Sequence, residues 1–284
     1  MLRSIQISAF RFSNFAGHSA LVTVFWLFEF RISLRRLSMR NALISLAALS
    51  LFAVAPLASA DQWSKTWTVS PGVELRLVTD RGNVHVAQIA GDSIHANITT
   101  EYWHISESEV EITATHNGNA VEIHVRVPEE RFHFFHHSAR VDIQLEVPAG
   151  SKLALRTGFG KVRVSQFDGR VDAETGFGDM DADGHFESLS LRTGFGSIRA
   201  EASPGSRITS SWRLSSGFGH VTLRLPQDFN ADVDARSGFG HVTTDFPITI
   251  SETNSHSSLR GRIGSGGPLL DIDTGFGSVH IQKM

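Results

Sequence analysis

The sequence predicts an all-β fold, a single-domain β-solenoid whose stacked rungs are each about 18–23 residues long. The first observation behind this prediction is a turn of Thr or Ser followed by Gly-Phe-Gly, which occurs six times in the second half of the chain. The turns end at Gly160, Gly178, Gly196, Gly219, Gly240 and Gly277, at spacings of 18, 18, 23, 21 and 37 residues. A period near twenty is typical of proteins built from stacked units.

The second observation is that apolar and polar residues alternate on both sides of every turn. Leu153 and Leu155 precede the first turn, for example, and Val162 and Val164 follow it. Alternation with a period of two indicates strands with one solvated face. No sustained period of 3.6 follows residue 60, so this part of the chain is expected to be almost free of helix.

A β-sandwich is the competing architecture, because short strands with frequent turn signals also suit it. A sandwich gives no reason to place one tetrapeptide at the same phase six times, whereas a solenoid uses the same corner in every rung. The solenoid is therefore the predicted architecture.

A weaker copy of the repeat precedes the six turns. Residues 71–86 run parallel to residues 148–164, with Thr79-Asp80-Arg81-Gly82 in the place of the Gly-Phe-Gly turn. Between these copies, alternating stretches at 110–114 and 121–127 flank Asn117-Gly118, a pair that favours a hairpin. We expect a hairpin inserted near the amino-terminal end, where it widens or caps the stack.

The amino terminus predicts export. Residues 39–41 form a short positive segment, residues 42–55 are apolar, and Ala58-Ser59-Ala60 closes the run with small residues. This is the pattern of a secretory signal peptide at residues 39–60, with cleavage between Ala60 and Asp61 and a periplasmic or secreted product. Residues 1–38 are interpreted as an upstream extension from a mis-assigned start, or alternatively as a long amino-terminal region. The predicted mature domain is residues 61–284.

Composition limits the classes of partner. Residues 61–284 carry 20 Lys or Arg and 28 Asp or Glu, a net charge of −8, so nucleic acid is not an expected partner. The chain has no Cys, which excludes disulfides and a lipid-modified cysteine anchor. The apolar runs near the amino terminus are too short for a transmembrane anchor in the mature chain.

Several motifs together resemble a known family. They are the Val-Pro-Ala-Gly run at 147–150, the Thr-Gly-x-Gly turns followed by x-Val-x-Val, and the closing stretches 263–267 and 270–274. The segment from Trp63 to Lys283 is similar in these respects to the putative-adhesin family of exported bacterial domains with β-strand repeats. The resemblance implies a right-handed β-solenoid and supplies no catalytic residues. This chain departs from the family pattern in placing Phe in every turn.

The turn phenylalanines are the candidate binding residues, and their orientation is open. Counting along the preceding strand places Phe159 on the inward face, whereas counting back from Val162 places it outward. They either fill each corner as an internal aromatic ladder or form an exposed stripe for a partner. The six residues are Phe159, Phe177, Phe195, Phe218, Phe239 and Phe276.

No metal or other cofactor is expected. Asp179, Asp181 and Asp183 match the first half of a calcium loop, but Ser190 stands where a bidentate Glu is needed, so they are interpreted as the wet face of a strand. His133, His136 and His137 could offer imidazoles to a metal, but they are interpreted as parts of an exposed loop.

The predicted function is that of a non-catalytic exported binding or scaffold module, an adhesin of the bacterial cell envelope, whose partner is a protein, glycan or lipid. One alternative is an accessory protein of an envelope-stress signalling system. Another is a polysaccharide-active β-helix enzyme, in which outward acids on neighbouring rungs would pair. The acids in question are Asp172, Glu174, Asp181 and Asp183.

Overall fold

The computed structural model describes residues 60–101, 103–106, 109–127, 140–206, 209–250 and 256–284. Within these residues the fold is all-β, as predicted, and the strands form one sheet of nineteen. The same residues contain no helix, and hence none long and apolar enough to cross a membrane. The signal-peptide and upstream segments, residues 1–59, lie outside the described residues, as does the loop with His133, His136 and His137.

The strands follow one another along the chain with short connections. In order they are β1 (Ala60–Thr68), β2 (Glu74–Arg81), β3 (Asn83–Ile89), β4 (Ser93–Glu101), β5 (Glu111–Asn117), β6 (Ala120–Arg126), β7 (Arg140–Pro148), β8 (Ser151–Phe159), β9 (Val162–Phe177), β10 (Met180–Phe195), β11 (Ile198–Ala202), β12 (Trp212–Phe218), β13 (Val221–Leu225), β14 (Ala231–Phe239), β15 (Val242–Thr244), β16 (Ile248–Ile250), β17 (Ser258–Ile263), β18 (Leu269–Phe276) and β19 (Val279–Lys283).

Parallel pairing arranges the repeats in two columns. Strands that end at a Gly-Phe-Gly turn form the first column, in the order β2, β8, β9, β10, β12, β18 and β14. Strands that begin after a turn form the second, in the order β7, β3, β9, β10, β11, β13, β19 and β15. The long strands β9 and β10 take part in both columns, so that the two columns belong to one sheet.

The alternation read from the sequence is the alternation of burial. Leu155, Ala173, Leu191 and Leu214 occupy equivalent positions in successive strands and are all buried. The inward residues of both columns form one hydrophobic core. Because every rung presents the same face inward, the core is continuous along the stack.

The predicted amino-terminal hairpin is confirmed. β5 and β6 pair antiparallel around a turn at Gly118, and β6 pairs in parallel with β2. β1 and β4 extend the second column at the same end through antiparallel pairing with β7. The first rung is therefore covered by additional strands on both columns.

The order of rungs at the other end differs from the expectation that each Gly-Phe-Gly lies over the next in sequence. β18 pairs with β12 on one side and β14 on the other, and β19 lies in the same way between β13 and β15. The last repeat in sequence therefore lies between the fourth and the fifth. The long insertion before this repeat provides β16 and β17, and β17 pairs antiparallel with β14 beyond it.

Candidate functional site

The six turn phenylalanines form one continuous aromatic ladder. In spatial order its rings are those of Phe159, Phe177, Phe195, Phe218, Phe276 and Phe239, with centroid separations of 4.9, 4.8, 4.7, 4.8 and 4.6 Å. Neighbouring ring planes differ by only 1–7°. The spacing is that of hydrogen-bonded strands, so the backbone ladder sets the distance at which the rings stack.

The ladder lies on the surface of the protein. Five of its residues are 47–50% exposed, and Phe239, at the open end, is 70% exposed. The interpretation in which the rings fill the interior of each corner is therefore wrong. Its parity count fails because the turn ends the strand beyond Phe, and the interior aromatic residues are instead Phe167, Phe186 and Trp212.

The two glycines of each turn are required by the close approach of neighbouring rungs. A Cβ atom at Gly176 would lie 2.7 Å from the carbonyl oxygen of Gly158, and one at Gly178 would lie 2.0 Å from that of Gly160. Gly178 also has a φ of +155°, which L side chains rarely adopt. The phenylalanines consequently stand between two rows of residues without side chains, as a ridge.

The Thr or Ser that opens each turn has a structural role of its own. The Thr175 hydroxyl donates a hydrogen bond to the carbonyl oxygen of Gly160 at 3.1 Å, and the Ser216 hydroxyl donates to Gly196 at 2.8 Å. The same bond to the preceding rung recurs at the other four turns. These side chains are buried, so the hydroxyls satisfy carbonyl groups that the corner brings inside the protein.

The first end of the ladder is occupied by the turn that lacks Phe. Arg81 is the strand partner of Phe159, and its guanidinium carbon lies 5.8 Å from the centre of the Phe159 ring. This is the geometry of a cation–π contact. The sequence placed Arg81 in the position of the turn Phe, but it did not indicate that the side chain would continue the stack.

Two polar rows run beside the ridge, and the sequence analysis did not single them out. The first lies two residues before the first Gly of each turn, and the second directly follows the second Gly. In spatial order the first row is Arg156, Glu174, Arg192, Ser215, Asp273 and Arg236, and the second is Lys161, Asp179, Ser197, His220, Ser278 and His241. The fixed position of each row within the repeat is the signal that could have found them.

The acids considered for catalysis are engaged with cations. Burial raises the pKa of Asp172, but the Arg156 guanidinium, 2.6 Å away, together with Arg192 outweighs it, so the pKa lies below its usual value. Burial likewise raises the pKa of Asp181, and Lys161 at 2.6 Å and Arg163 more than offset it. A general acid needs the opposite shift, so these two carboxylates are poor candidates for that role.

The aspartates of the partial calcium motif point to different protein donors. Asp179 accepts a hydrogen bond from the Ser197 amide at 2.8 Å, and Asp183 accepts one from the Gln166 amide at 2.7 Å. Together with the ion pairs of Asp181, these bonds use the carboxylates within the sheet. Within the described ranges, no cluster of three or more His, Asp or Glu side chains is arranged to hold a metal.

Comparison with solved structures gives proteins of similar fold. A "putative cell adhesion protein" from Clostridium sporogenes superimposes with a TM-score of 0.50 at 15% identity, over 79% of this chain and 100% of that one. The predicted resemblance to the putative-adhesin family is confirmed at the level of the fold.

Two further structures have lower scores. A "putative adhesin" from Bacteroides fragilis gives a TM-score of 0.39 at 11% identity, over 80% of this chain and 99% of that one. One from Parabacteroides distasonis gives 0.32 at 12% identity, over 80% and 98%. No protein-family model and no curated protein sequence matches the chain.

Proposed function

We propose that this chain is a non-catalytic, exported binding module of the adhesin type, which contacts a component of the bacterial envelope through its phenylalanine ladder. The observation that carries the proposal is the half-exposed row of six stacked rings. The location outside the cytoplasm rests on the signal-peptide pattern at residues 39–60.

The proposed architecture is a β-solenoid in which each repeat is one rung. In-register parallel pairing supports it, since Phe159, Phe177, Phe195 and Phe218 are successive strand partners. The buried Thr and Ser hydroxyls also repeat from rung to rung. A stacked architecture places one side chain of each rung on a common line, which is how a short turn generates an extended surface.

The ladder is unusual among the parts of the corner because the other three residues have structural roles. Thr or Ser satisfies a buried carbonyl, and neither Gly leaves room for a Cβ atom. Phe is the one turn residue that meets solvent. Half of a Phe side chain is on the order of 100 Å², so the ladder exposes roughly 600 Å², at the upper end of the apolar patches that monomeric proteins carry.

The proposal of a non-catalytic role is supported by the state of the outward acids. Asp172 and Asp181 are held ionised by neighbouring Arg and Lys side chains. The fold shared with the cell adhesion protein of Clostridium sporogenes is compatible with a binding role.

The test is binding of the purified protein to isolated bacterial envelopes. The double substitution Phe177→Ser and Phe195→Ser removes the centre of the ladder, and Leu269→Ser is the matched control, since Leu269 is 40% exposed outside it. We expect the double variant to lose at least about tenfold in affinity and the control to bind like the unsubstituted protein. Equal binding by all three folded proteins would contradict the proposal.

A further inference from the structure

The ladder is straight. Adjacent strands of a sheet usually twist by about 20–25° relative to one another, whereas adjacent ladder rings differ by at most 7°. Five steps of this spacing give a ridge about 24 Å long. All six rings can therefore touch one flat surface at the same time.

The rings present their edges to solvent, because the stack covers their faces. Each internal ring has a neighbour on both sides, and the outer face of Phe159 lies against Arg81. Sugars stack on the negative face of an aromatic ring, and the ladder offers such a face only at Phe239, its open end. A row of ring edges is instead an apolar surface with a slight positive charge, which suits hydrocarbon and carbonyl groups.

The polar rows disfavour a second copy of the chain on the same ridge. If two ladders met antiparallel, the first row would face itself, so that Arg156 would oppose Arg236 and Glu174 would oppose Asp273. If they met in parallel, the first row would face the second, and Arg156 would oppose Lys161. Like charges would meet at the margins of the interface in both arrangements, which is unfavourable.

The same rows suit a lipid surface. Five cations flank the ladder, against the three acids Glu174, Asp179 and Asp273, so the margin is net positive in a domain of net charge −8. Arg and Lys can lay their aliphatic stems on apolar surface and place the charged group at the phosphates. The cations are Arg81, Arg156, Arg192, Arg236 and Lys161.

We infer that the occupant of the ladder is the interfacial region of a lipid bilayer, into which the ridge of ring edges inserts while the flanking cations contact headgroups. This inference rests on the proposed function and specifies its partner. The local excess of positive charge is small, so burial of the rings drives binding and added salt has little effect on it.

A fluorescent residue in the ladder tests the inference directly. The full chain carrying Phe195→Trp is mixed with phosphatidylcholine vesicles that contain lipids brominated near the headgroup. Leu269→Trp is the matched control, and the unsubstituted protein gives the background of the native tryptophans. We expect the emission of the tryptophan introduced in the ladder to be quenched by at least about twofold, with the quenching retained at about 0.5 M NaCl, and no added quenching for the control. Insertion by residues 1–59 alone would not bring position 195 to the bromine atoms.

Phe239→Trp, at the open end of the ladder, serves as the second probe if Phe195→Trp does not fold. Quenching at the ladder no greater than at position 269, or binding that requires anionic lipid and is lost at about 0.5 M NaCl, would overturn the bilayer as the partner. If the ladder probe stays unquenched while the Phe177→Ser, Phe195→Ser variant still fails to bind envelopes, the bilayer inference fails and the proposed function stands. If that variant binds envelopes normally, the proposed function itself fails.

Discussion

Phe276 stacks on Phe218 with ring centroids 4.8 Å apart and planes 1° from parallel, although another Gly-Phe-Gly turn separates them in the sequence. The final repeat enters the stack between two earlier ones, and the ladder passes through it without a break. The corner is thus the same object in every repeat, whichever repeat lies next to it. Five predictions test the roles of its parts and of the surrounding charges and signal.

The first prediction compares aromatic residues outside and inside the core. Phe177→Ala removes two stacked neighbours from a half-exposed residue, so we expect a loss of about 1–2 kcal/mol in the free energy of unfolding. Phe186→Ala leaves a cavity beside Trp212 and should cost about 3–5 kcal/mol. Denaturant unfolding of both variants gives the comparison. A larger loss for Phe177→Ala would contradict the surface position of the ladder.

The second prediction concerns the glycine rows. Gly178→Ala combines a φ of +155° with a Cβ atom 2.0 Å from the Gly160 carbonyl oxygen, so we expect at least about 3 kcal/mol of destabilisation or failure to fold. Gly150→Ala is the control, since it has a φ of +75° and no atom near its Cβ position. Its cost should be only about 1–2 kcal/mol. Similar melting temperatures for the two variants would argue against tight stacking at the corner.

The third prediction tests the buried hydroxyls. Thr175→Val keeps the shape of the side chain but removes the donor to the Gly160 carbonyl, so we expect a loss of about 1–2 kcal/mol. Thr222→Val, on the outward face of β13, should change stability by no more than about 0.5 kcal/mol. Thermal unfolding measures both. No difference between them would mean that the hydroxyl bond does not hold the rungs together.

The alternation of the strands and the identity of the turns could be predicted from the sequence because each depends on residues close together in the chain. Stacking of the six phenylalanines also followed from the repeat. Their exposure did not, since the alternation that defines inward and outward ends at the turn, and the two counts for Phe159 disagree.

The order of the last rungs could not be predicted for a different reason. Parallel pairing depends on backbone hydrogen bonds and on an inward apolar face, and both are alike in all the repeats. Nothing in Val279 or Ile281 specifies Val221 and Leu223 as neighbours over Val242 and Thr244. The long insertion that contains β16 and β17 permits the crossing, but its length alone does not require it.

The fourth prediction concerns acid. The pKa values of Asp172 and Asp181 lie below 3.8 in the folded protein, despite burial, because Arg156 and Lys161 stabilise the charged forms. Their contribution to stability is therefore complete above pH 3.8 and is lost as the pH falls through the lower folded-state values. We expect a melting temperature that changes little from neutral pH to about 5 and decreases below about 4. Asp181→Asn should weaken this acid-induced decrease, and an unchanged pH profile for that variant would contradict the assignment.

The fifth prediction concerns processing. Cleavage after Ala60 makes Asp61 the first residue, and the Asp61 carboxylate stays bound to the Ile105 amide at 3.1 Å and the His104 ring at 3.2 Å. We expect the stable protein to be found in the periplasmic or secreted fraction and to begin at Asp61. Amino-terminal sequencing or intact mass measures this. A stable product that retains residues 1–60 would show that the pattern at 39–60 is not a cleaved signal.

The central claim is that the six turn phenylalanines are an exposed contact surface, and hydroxyl-radical footprinting measures exposure and contact in one experiment. Oxidation of each Phe is quantified by mass spectrometry in the free protein and in the protein bound to isolated envelopes. The account predicts rapid oxidation of the ladder residues in the free state, slow oxidation of buried Phe167 and Phe186, and protection of the ladder on binding. Ladder residues that oxidise as slowly as Phe186, or that remain unprotected in the bound state, would contradict it.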